Sequence, residues 1–123
     1  MKRPLIQTTI VLIILSLILP GCNAKPLTCD DPLGCIPVGS QQPVRLAALL
    51  TLNGPESPYG IDALRGVEIA VAKQKEVAGH AIELVKVDDM CSEEGGTSGA
   101  QQIAADTSIV GVIGTACSSD SVP

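Results

Sequence analysis

Few residues in this sequence are of types that do chemistry, and they form no catalytic set. The single histidine, His80, follows Ala78 and Gly79 in a predicted turn, so we expect it to have a structural role. Ser118 and Ser119 have no His or Lys placed by the sequence to activate a hydroxyl as a nucleophile. The nucleotide-binding patterns GxGxxG and GK[ST] are absent. The sequence therefore favours a binding role without a cofactor over catalysis.

Two adjacent acidic residues, Asp88 and Asp89, end the second predicted strand. Paired carboxylates at such a place can bind a metal ion, but they more often accept hydrogen bonds from amides of the following loop and helix. We expect the second role, and no metal.

The five cysteines offer covalent chemistry. An odd number leaves one thiol unpaired in an oxidising compartment. If Cys22 is modified, the remaining four are enough for two disulfides; they are Cys29, Cys35, Cys91 and Cys117. Cys29 and Cys35 flank the turn-forming sequence DDPLG and could close a small loop. Metal binding is the rival interpretation, but no histidine and no second close cysteine pair accompany these two.

The beginning of the chain has the features of an export signal. Lys2 and Arg3 precede an apolar stretch that is densest over Ile10–Leu19. The stretch is about 15 residues long, whereas a helix that spans a bilayer needs about 20 apolar residues. A basic start, a short apolar segment and a small residue before a cleavage point are typical of a secretory signal. We assign this role to residues 1–21.

The residues at the predicted cleavage point, Leu19-Pro20-Gly21-Cys22, resemble the lipobox of bacterial lipoproteins. The resemblance implies cleavage before Cys22, a lipid on that cysteine and an anchor on the outer side of the cytoplasmic membrane. The alternative is an uncleaved membrane anchor. In either case the rest of the chain lies outside the cytoplasm, in a periplasmic or extracellular location.

Residues 22–43 are predicted to be a tether between the membrane and a folded part. Prolines recur too closely for regular structure, and each fixes φ and removes a hydrogen-bond donor. They are Pro26, Pro32, Pro37 and Pro43.

The composition excludes nucleic acid as a partner. The chain has 8 basic and 13 acidic residues, a net charge of −5, and one Tyr with no Phe or Trp. It therefore has neither the basic surface nor the stacking side chains that nucleic-acid binding requires.

From Val44 onward, the apolar pattern predicts alternating strands and helices. The predicted elements are a buried strand over Val44–Leu52, a loop over Asn53–Gly60, a helix over Ile61–Val77, a strand over Ile82–Val87, a helix after Ser92 and a strand over Ile109–Ile113. The order β-α-β-α-β favours an α/β fold with a parallel sheet. Three strands and two helices bury little surface alone, so we expect residues 44–123 to be an incomplete domain.

The two predicted helices differ in quality. The first has an apolar stripe of Ile61, Leu64, Val67 and Val71. The second has Ser92 as its cap and Glu93 and Glu94 in its first turn, where acidic side chains are favourable. Its stripe is Ala100, Ile103 and Ala104, and we expect Gly95, Gly96 and Gly99 to weaken it.

In open α/β sheets, ligands bind beyond the carboxyl ends of the strands. The segments predicted there are Asn53–Gly60, Asp88–Ser92 and Thr115–Ser119. Tyr59, the only aromatic residue of the chain, is in the first segment. Ser118 and Ser119 are predicted to begin a helix, whose free N–H groups suit a carboxylate.

Three stretches resemble the branched-chain amino-acid binding proteins of bacterial ABC importers. They are LLTLNGPESPYGIDALRGVEIAV (Leu49–Val71), VDDMCSEEGGTSGAQQIAAD (Val87–Asp106) and VGVIGTACSSDSVP (Val110–Pro123). The resemblance implies a type I periplasmic binding protein, in which two α/β lobes close on a small ligand. Residues 44–123 would be the N-terminal part of the first lobe. Its strand order would be 2-1-3, with the helices on opposite faces of the sheet.

The resemblance also implies roles for individual residues. Cys91 and Cys117 would form a disulfide. The Ser118 hydroxyl and the Ser119 backbone would donate hydrogen bonds to the ligand's α-carboxylate, and Tyr59 would form a wall of the site.

The function implied is that of an extracytoplasmic solute-binding lipoprotein. It would hand an amino acid, branched-chain in the first instance, to ABC permease subunits. The alternative is the ligand-binding domain of a membrane sensor. The lipobox favours the importer, because a sensor needs a transmembrane helix to pass on its signal. An enzyme is the least favoured class.

Overall fold

The structure is a computed structural model that describes residues 28–32 and 34–121. The predicted signal, Cys22 and the first residues of the predicted tether lie outside the described residues. The chain divides into two units, Met1–Asp30 and Asp31–Pro123. Of the first unit, residues 28–30 are described; they are exposed and lie outside helices and strands. Within the described ranges, no helix is both long and apolar enough to cross a bilayer.

In the second unit, strands and helices alternate as the apolar pattern predicts. The elements are β1 (Val44–Leu50), α1 (Ser57–Gln74), β2 (Glu76–Val77), β3 (His80–Asp88), α2 (Glu93–Ala105) and β4 (Ile109–Ile113). The predicted α/β class is confirmed. Residues 34–43, which precede β1, form no helix or strand.

The sheet has the order β2-β3-β1-β4. β1 is central and pairs in parallel with β3 on one side and with β4 on the other. The three parallel strands therefore have the predicted 2-1-3 arrangement. The complete order differs from the prediction because the two-residue strand β2 adds an antiparallel pair beyond β3.

Strand β2 lies where the sequence predicts the end of the first helix. α1 ends at Gln74 because Lys75 takes a positive φ of 57°, and its N–H closes the helix by bonding to the Val71 carbonyl. A tight turn at Ala78 and Gly79, both with positive φ, then connects β2 to β3. His80, predicted in that turn, is instead the first residue of β3 and pairs with Val77.

The start of α1 also differs from the prediction. The helix begins at Ser57 rather than Ile61, so Pro58, Tyr59 and Gly60 are helical and not part of a loop. Pro58 is compatible with this position, because N–H groups of the first turn have no partner within the helix. The predicted apolar stripe of α1 is half-buried, and its opposite face is exposed.

The core is built on both faces of β1. Ala47 and Leu49 belong to one buried cluster that includes Ile103 of α2 and reaches β3 and β4. Ala48 and Leu50 are also buried. Because successive side chains of a strand point to opposite faces, these two lie on the other side of the sheet. α1 and α2 both contact β1 and β3.

Helix α2 packs through its glycines, contrary to the prediction. Of the predicted stripe, Ile103 is buried but Ala100 and Ala104 are exposed. Gly95, Gly96 and Gly99 are buried. A Cβ atom at Gly99 would collide with the Leu49 side chain and lie 3.2 Å from Val87 Cγ1. The absence of side chains lets α2 lie close to the sheet, which offsets the low helix propensity of glycine.

The amino-terminal edge of the sheet is held by charges. Arg45 Nε donates to Glu83 at 3.0 Å, and its guanidinium also bonds to Asp106 and Ser108. The Asp106 carboxylate also accepts from the Ser108 backbone N–H at 3.1 Å. Hydrogen bonds from Ser108, followed by that from Arg45, lower the pKa of Asp106 to about 2.

Candidate functional site

At the carboxyl edge of the sheet, Asp88 fixes the loop that follows β1. Its carboxylate accepts from the Leu52 N–H at 2.8 Å, the Asn53 side chain at 2.6 Å and the Met90 N–H at 3.0 Å. Burial by itself would raise the pKa of Asp88, but the hydrogen bonds led by that of Leu52 bring it below its ordinary value. Asp88 therefore accepts hydrogen bonds from loop amides, as its position predicts.

Across the described ranges, no group of three or more His, Cys, Asp or Glu residues is arranged to hold a metal ion.

Asp89 joins the end of β1 to the β3–α2 loop from inside the protein. One carboxylate oxygen accepts from the Thr51 hydroxyl at 2.6 Å and from the Cys91 N–H at 3.0 Å. Thr51 and Asp89 are both fully buried. The next two residues, Met90 and Cys91, have positive φ values of 53° and 50°. Such a backbone is unfavourable for side-chain-bearing residues, so the hydrogen bonds of Asp88 and Asp89 are needed to hold this turn.

A disulfide joins the loops that follow β3 and β4. Cys91 and Cys117 are bonded, with their Cα atoms 5.4 Å apart, which confirms the predicted pairing. The two loops belong to strands on either side of β1, so the bond spans the end of the central strand. The Ser119 hydroxyl adds a hydrogen bond of 3.0 Å to the Cys91 carbonyl. Cys29 and Cys35 are each disulfide-bonded as well.

Ser118 and Ser119 are exposed in the loop after β4, next to this disulfide. Residues 116–121 form bends and turns, with the Ser121 N–H donating to the Ser118 carbonyl at 3.4 Å. The Ser121 hydroxyl donates to the Cys117 carbonyl at 2.7 Å and thereby supports this tight turn. The described residues end at 121, so the helix predicted to begin at these serines stays a prediction. The serines still lie at the predicted edge of the sheet.

Tyr59 is in the first turn of α1 and is 76% exposed. The next residue, Gly60, is buried, and a Cβ atom there would collide with the backbone of Thr51. The first turn of α1 therefore rests on the residue that follows β1, which places Tyr59 at the carboxyl edge of the sheet. The three predicted segments thus meet at one edge.

Two residues of this edge were not predicted from the sequence. Asp120 is 4% exposed although it is acidic and lies in a stretch of small polar residues. Met90 is 59% exposed and stands beside the disulfide. Met90 has a sequence signal, because it is the one large apolar residue between the predicted strand and the Ser92 cap. Asp120 has none, because its burial depends on contacts with a distant helix.

Comparisons with known proteins give matches to solved structures. No protein-family model matches the sequence, and no curated protein matches it. The leucine-binding protein LivK from Thermotoga maritima is similar over 63% of this chain and 22% of its own, with 25% identity and a TM-score of 0.59. An extracellular ligand-binding receptor from Rhodopseudomonas palustris is similar over 60% of this chain and 20% of its own, with 23% identity and a TM-score of 0.53.

Both neighbours are type I periplasmic binding proteins. The described part of this chain has the fold of a part of such a protein, and the predicted fold is confirmed. The chain spans about a fifth of the length of these two structures.

Proposed function

We propose that this chain contributes part of one lobe of an extracytoplasmic solute-binding protein that binds an amino acid. The observation that carries the proposal is the edge of the sheet where two loops, joined by the Cys91–Cys117 disulfide, present exposed serines next to the first turn of α1. The solved structure of a leucine-binding protein is similar to this chain, which supports the ligand class.

The loop after β4 has the chemistry to bind a carboxylate. The Ser118 hydroxyl and the backbone N–H of Ser119 would donate to the two oxygens of the ligand's α-carboxylate. The disulfide and the bond from the Ser119 hydroxyl to the Cys91 carbonyl restrict this loop before any ligand arrives. A loop that is already ordered loses less conformational entropy on binding, so these cross-links favour affinity.

Tyr59 would contact the ligand's side chain. Its ring is exposed at the same edge, and no described aromatic residue competes for that role. An exposed ring gains free energy when an apolar side chain covers it, in proportion to the area buried. This arrangement favours a ligand with an apolar side chain, such as a branched-chain amino acid.

Binding can be tested by calorimetry on the complete gene product with a panel of amino acids. A hydrogen bond to a charged group contributes about 1.5–3 kcal/mol, so Ser118→Ala should weaken binding roughly ten- to hundredfold. Tyr59→Ala should weaken binding most for large apolar side chains. Ser98→Ala, on the exposed surface of α2, is the matched control and should leave affinity unchanged. Equal affinities of Ser118→Ala and the control would remove the carboxylate from this loop.

We further propose a lipid anchor on Cys22 and delivery of the ligand to ABC permease subunits. The disulfide-bonded cysteines support the extracytoplasmic location, because disulfides persist in oxidising compartments. Globomycin or Cys22→Ala should leave the precursor uncleaved, as seen by gel mobility and lipid labelling. Continued cleavage of Cys22→Ala at the same rate would contradict the lipid anchor.

A further inference from the structure

A pair of buried acidic side chains lies beneath the proposed carboxylate-binding loop. Asp89 has no exposed surface, and Asp120 is 4% exposed. Asp120 packs against the first turn of α2, where a Cβ atom added at Gly96 would lie 2.7 Å from the Asp120 Cβ. Asp89 Oδ2 and both carboxyl oxygens of Asp120 are buried and receive no hydrogen bond from a described donor.

The charges around the pair offer no compensation. Asp88 is turned toward Leu52 and Asn53, and Glu93 and Glu94 are exposed in the first turn of α2. The Thr51 hydroxyl donates to Asp89, and the Thr115 hydroxyl lies near Asp120. Salt bridges among the described residues involve other acids; their basic partners are Arg45, Arg65 and Lys86.

Two ionised carboxylates in such a place would be unfavourable. An ionised carboxylate only accepts hydrogen bonds, so three buried oxygens would lack a donor, and two like charges would repel each other away from water. A proton on one carboxyl group turns an acceptor into a donor and removes one of the two charges. A single proton therefore supplies a missing hydrogen-bond donor and also removes the repulsion between the two carboxylates.

We propose that Asp89 and Asp120 share one proton, and that this proton removes a negative charge from the loop bearing Ser118 and Ser119, so that binding of a carboxylate ligand weakens as pH rises. Asp120 is a positioning residue in this scheme, because it acts on the loop and does not contact the ligand. The effect on binding rests on the proposed function, whereas the shared proton does not.

The local contacts indicate which residue holds the proton. Asp89 Oδ1 accepts two hydrogen bonds, from Thr51 and Cys91, and so already has donors. Neither carboxyl oxygen of Asp120 receives a hydrogen bond from a described donor. Burial is the main cause that raises the pKa of Asp120. The negative charge of Asp89 also raises the pKa of Asp120, whereas the nearby Thr115 hydroxyl lowers it. The Thr115 hydroxyl itself forms hydrogen bonds with the Cys117 carbonyl and the Ser121 hydroxyl. The proton therefore resides on Asp120, whose O–H donates a hydrogen bond to the Asp89 carboxylate.

The sign of the effect on stability follows from this direction. The pKa of Asp120 in the folded chain lies above its ordinary value of 3.8, so the folded state keeps a proton that the unfolded state has lost. The contribution of Asp120 to stability is then greatest below about pH 4 and falls as the pH rises toward the pKa of the folded state. Asp120→Asn keeps a neutral side chain at every pH, so this fall should disappear.

The shared proton can be tested without ligand, by NMR titration of the aspartate carboxyl carbons in the complete gene product. The Asp120 carbon should titrate above the ordinary range. Urea denaturation should show that Asp120→Asn is more stable than the wild type at pH 7. Asp88→Asn is the matched control with the opposite sign, because the pKa of Asp88 is lowered, and it should be less stable at pH 7. Titration of the Asp120 carbon within the ordinary range of aspartate would overturn the proposal.

The effect on binding can be tested with leucine as the probe, by calorimetry from about pH 4 upward. Affinity of the wild type should fall by about threefold or more as the pair loses its proton, since the negative charge that appears repels the ligand's carboxylate. Affinity of Asp120→Asn should stay constant. If the wild type and Asp120→Asn lose affinity equally, the shared proton does not act on the ligand. If no amino acid binds at any pH, the proposed function fails, while the NMR titration still decides whether the proton is shared.

Discussion

Two glycines of α1 allow the position of this helix to be tested with the same substitution. Gly60, in the first turn, is buried, and a Cβ atom there would lie only 2.6 Å from the Thr51 carbonyl carbon and 2.7 Å from the Thr51 nitrogen. Gly66, six residues further along the helix, is exposed and has no atom within 4 Å of an added Cβ. Gly60→Ala and Gly66→Ala therefore differ in their surroundings and not in their chemistry.

The expected change in the free energy of unfolding has opposite signs at the two sites. Alanine in place of glycine in a helix stabilises by about 0.5–1 kcal/mol, which is the whole effect expected for Gly66→Ala. Overpacking a core costs typically 1–3 kcal/mol. The upper end applies at Gly60, because the atoms met belong to the backbone of buried Thr51 and have little room to move. After the helix gain is subtracted, Gly60→Ala should destabilise by about 2 kcal/mol.

The two variants should thus differ by about 3 kcal/mol, which is over a hundredfold in the folding equilibrium. Urea denaturation followed by far-UV circular dichroism is the suitable assay, because the sequence has one Tyr and no Trp to report by fluorescence. An unchanged slope of free energy against urea would show that the unfolded states are comparable. If Gly60→Ala proves as stable as Gly66→Ala, the first turn of α1 does not rest on Thr51. The helix would then start later, as the sequence pattern predicts.

Two further predictions concern the cross-links of the sheet edges. The Cys91–Cys117 disulfide joins residues 26 apart, and the chain-entropy relation gives about 3.5 kcal/mol for a loop of this size. Replacing both cysteines by serine should lower the urea midpoint accordingly, and equal midpoints for the variant and the oxidised wild type would contradict this. At the opposite edge, Asp106 has a folded-state pKa of about 2 against an ordinary value of 3.8, so its contribution is complete above pH 4 and is lost as the pH falls toward 2. Asp106→Asn should therefore lose less stability than the wild type over that interval in acid titrations, and parallel curves would show that Ser108 and Arg45 do not hold this carboxylate.

The sequence predicts the succession of strands and helices because burial leaves a local trace. A strand covered on both faces needs a continuous apolar run, and the run from Val44 identifies β1. The Ser92 side chain accepts from the Gly95 N–H at 3.1 Å, as a cap followed by two acidic residues predicts. In both cases, the physical requirement is met by neighbours in the chain.

The start of α1 and the packing of α2 leave no such trace. Pro58 and Gly60 are typical of loops when read locally, yet the missing Cβ of Gly60 is what lets the first turn approach Thr51. Glycines lower helix propensity, and this local effect predicts a weakened α2. The contact of Gly99 with Leu49 and Val87 joins residues far apart in the chain, so no local pattern contains it.

For the candidate site, too, the sequence predicts some features and not others. Its location follows from topology, because the carboxyl ends of parallel strands meet at one edge. Tyr59, Ser118 and Ser119 are at that edge, although Tyr59 is in a helix and not in the predicted loop. The predicted role of Tyr59 depends on the exposure of its ring, which the change from loop to helix does not remove.

The glycines of α2 also account for the acidic pair beneath the site. A Cβ at Gly95 would collide with the Asp89 carbonyl, and one at Gly96 would displace Asp120, so the first turn of this helix has room for both residues only because it lacks side chains there. The same close approach buries the two carboxyl groups, which is the basis of the proposed shared proton. Helix packing, the charge of the edge and the position of the loop with Ser119 therefore depend on one another. A larger residue at Gly96 would disturb all three, which is why the weak helix-forming sequence of α2 is consistent with a binding role.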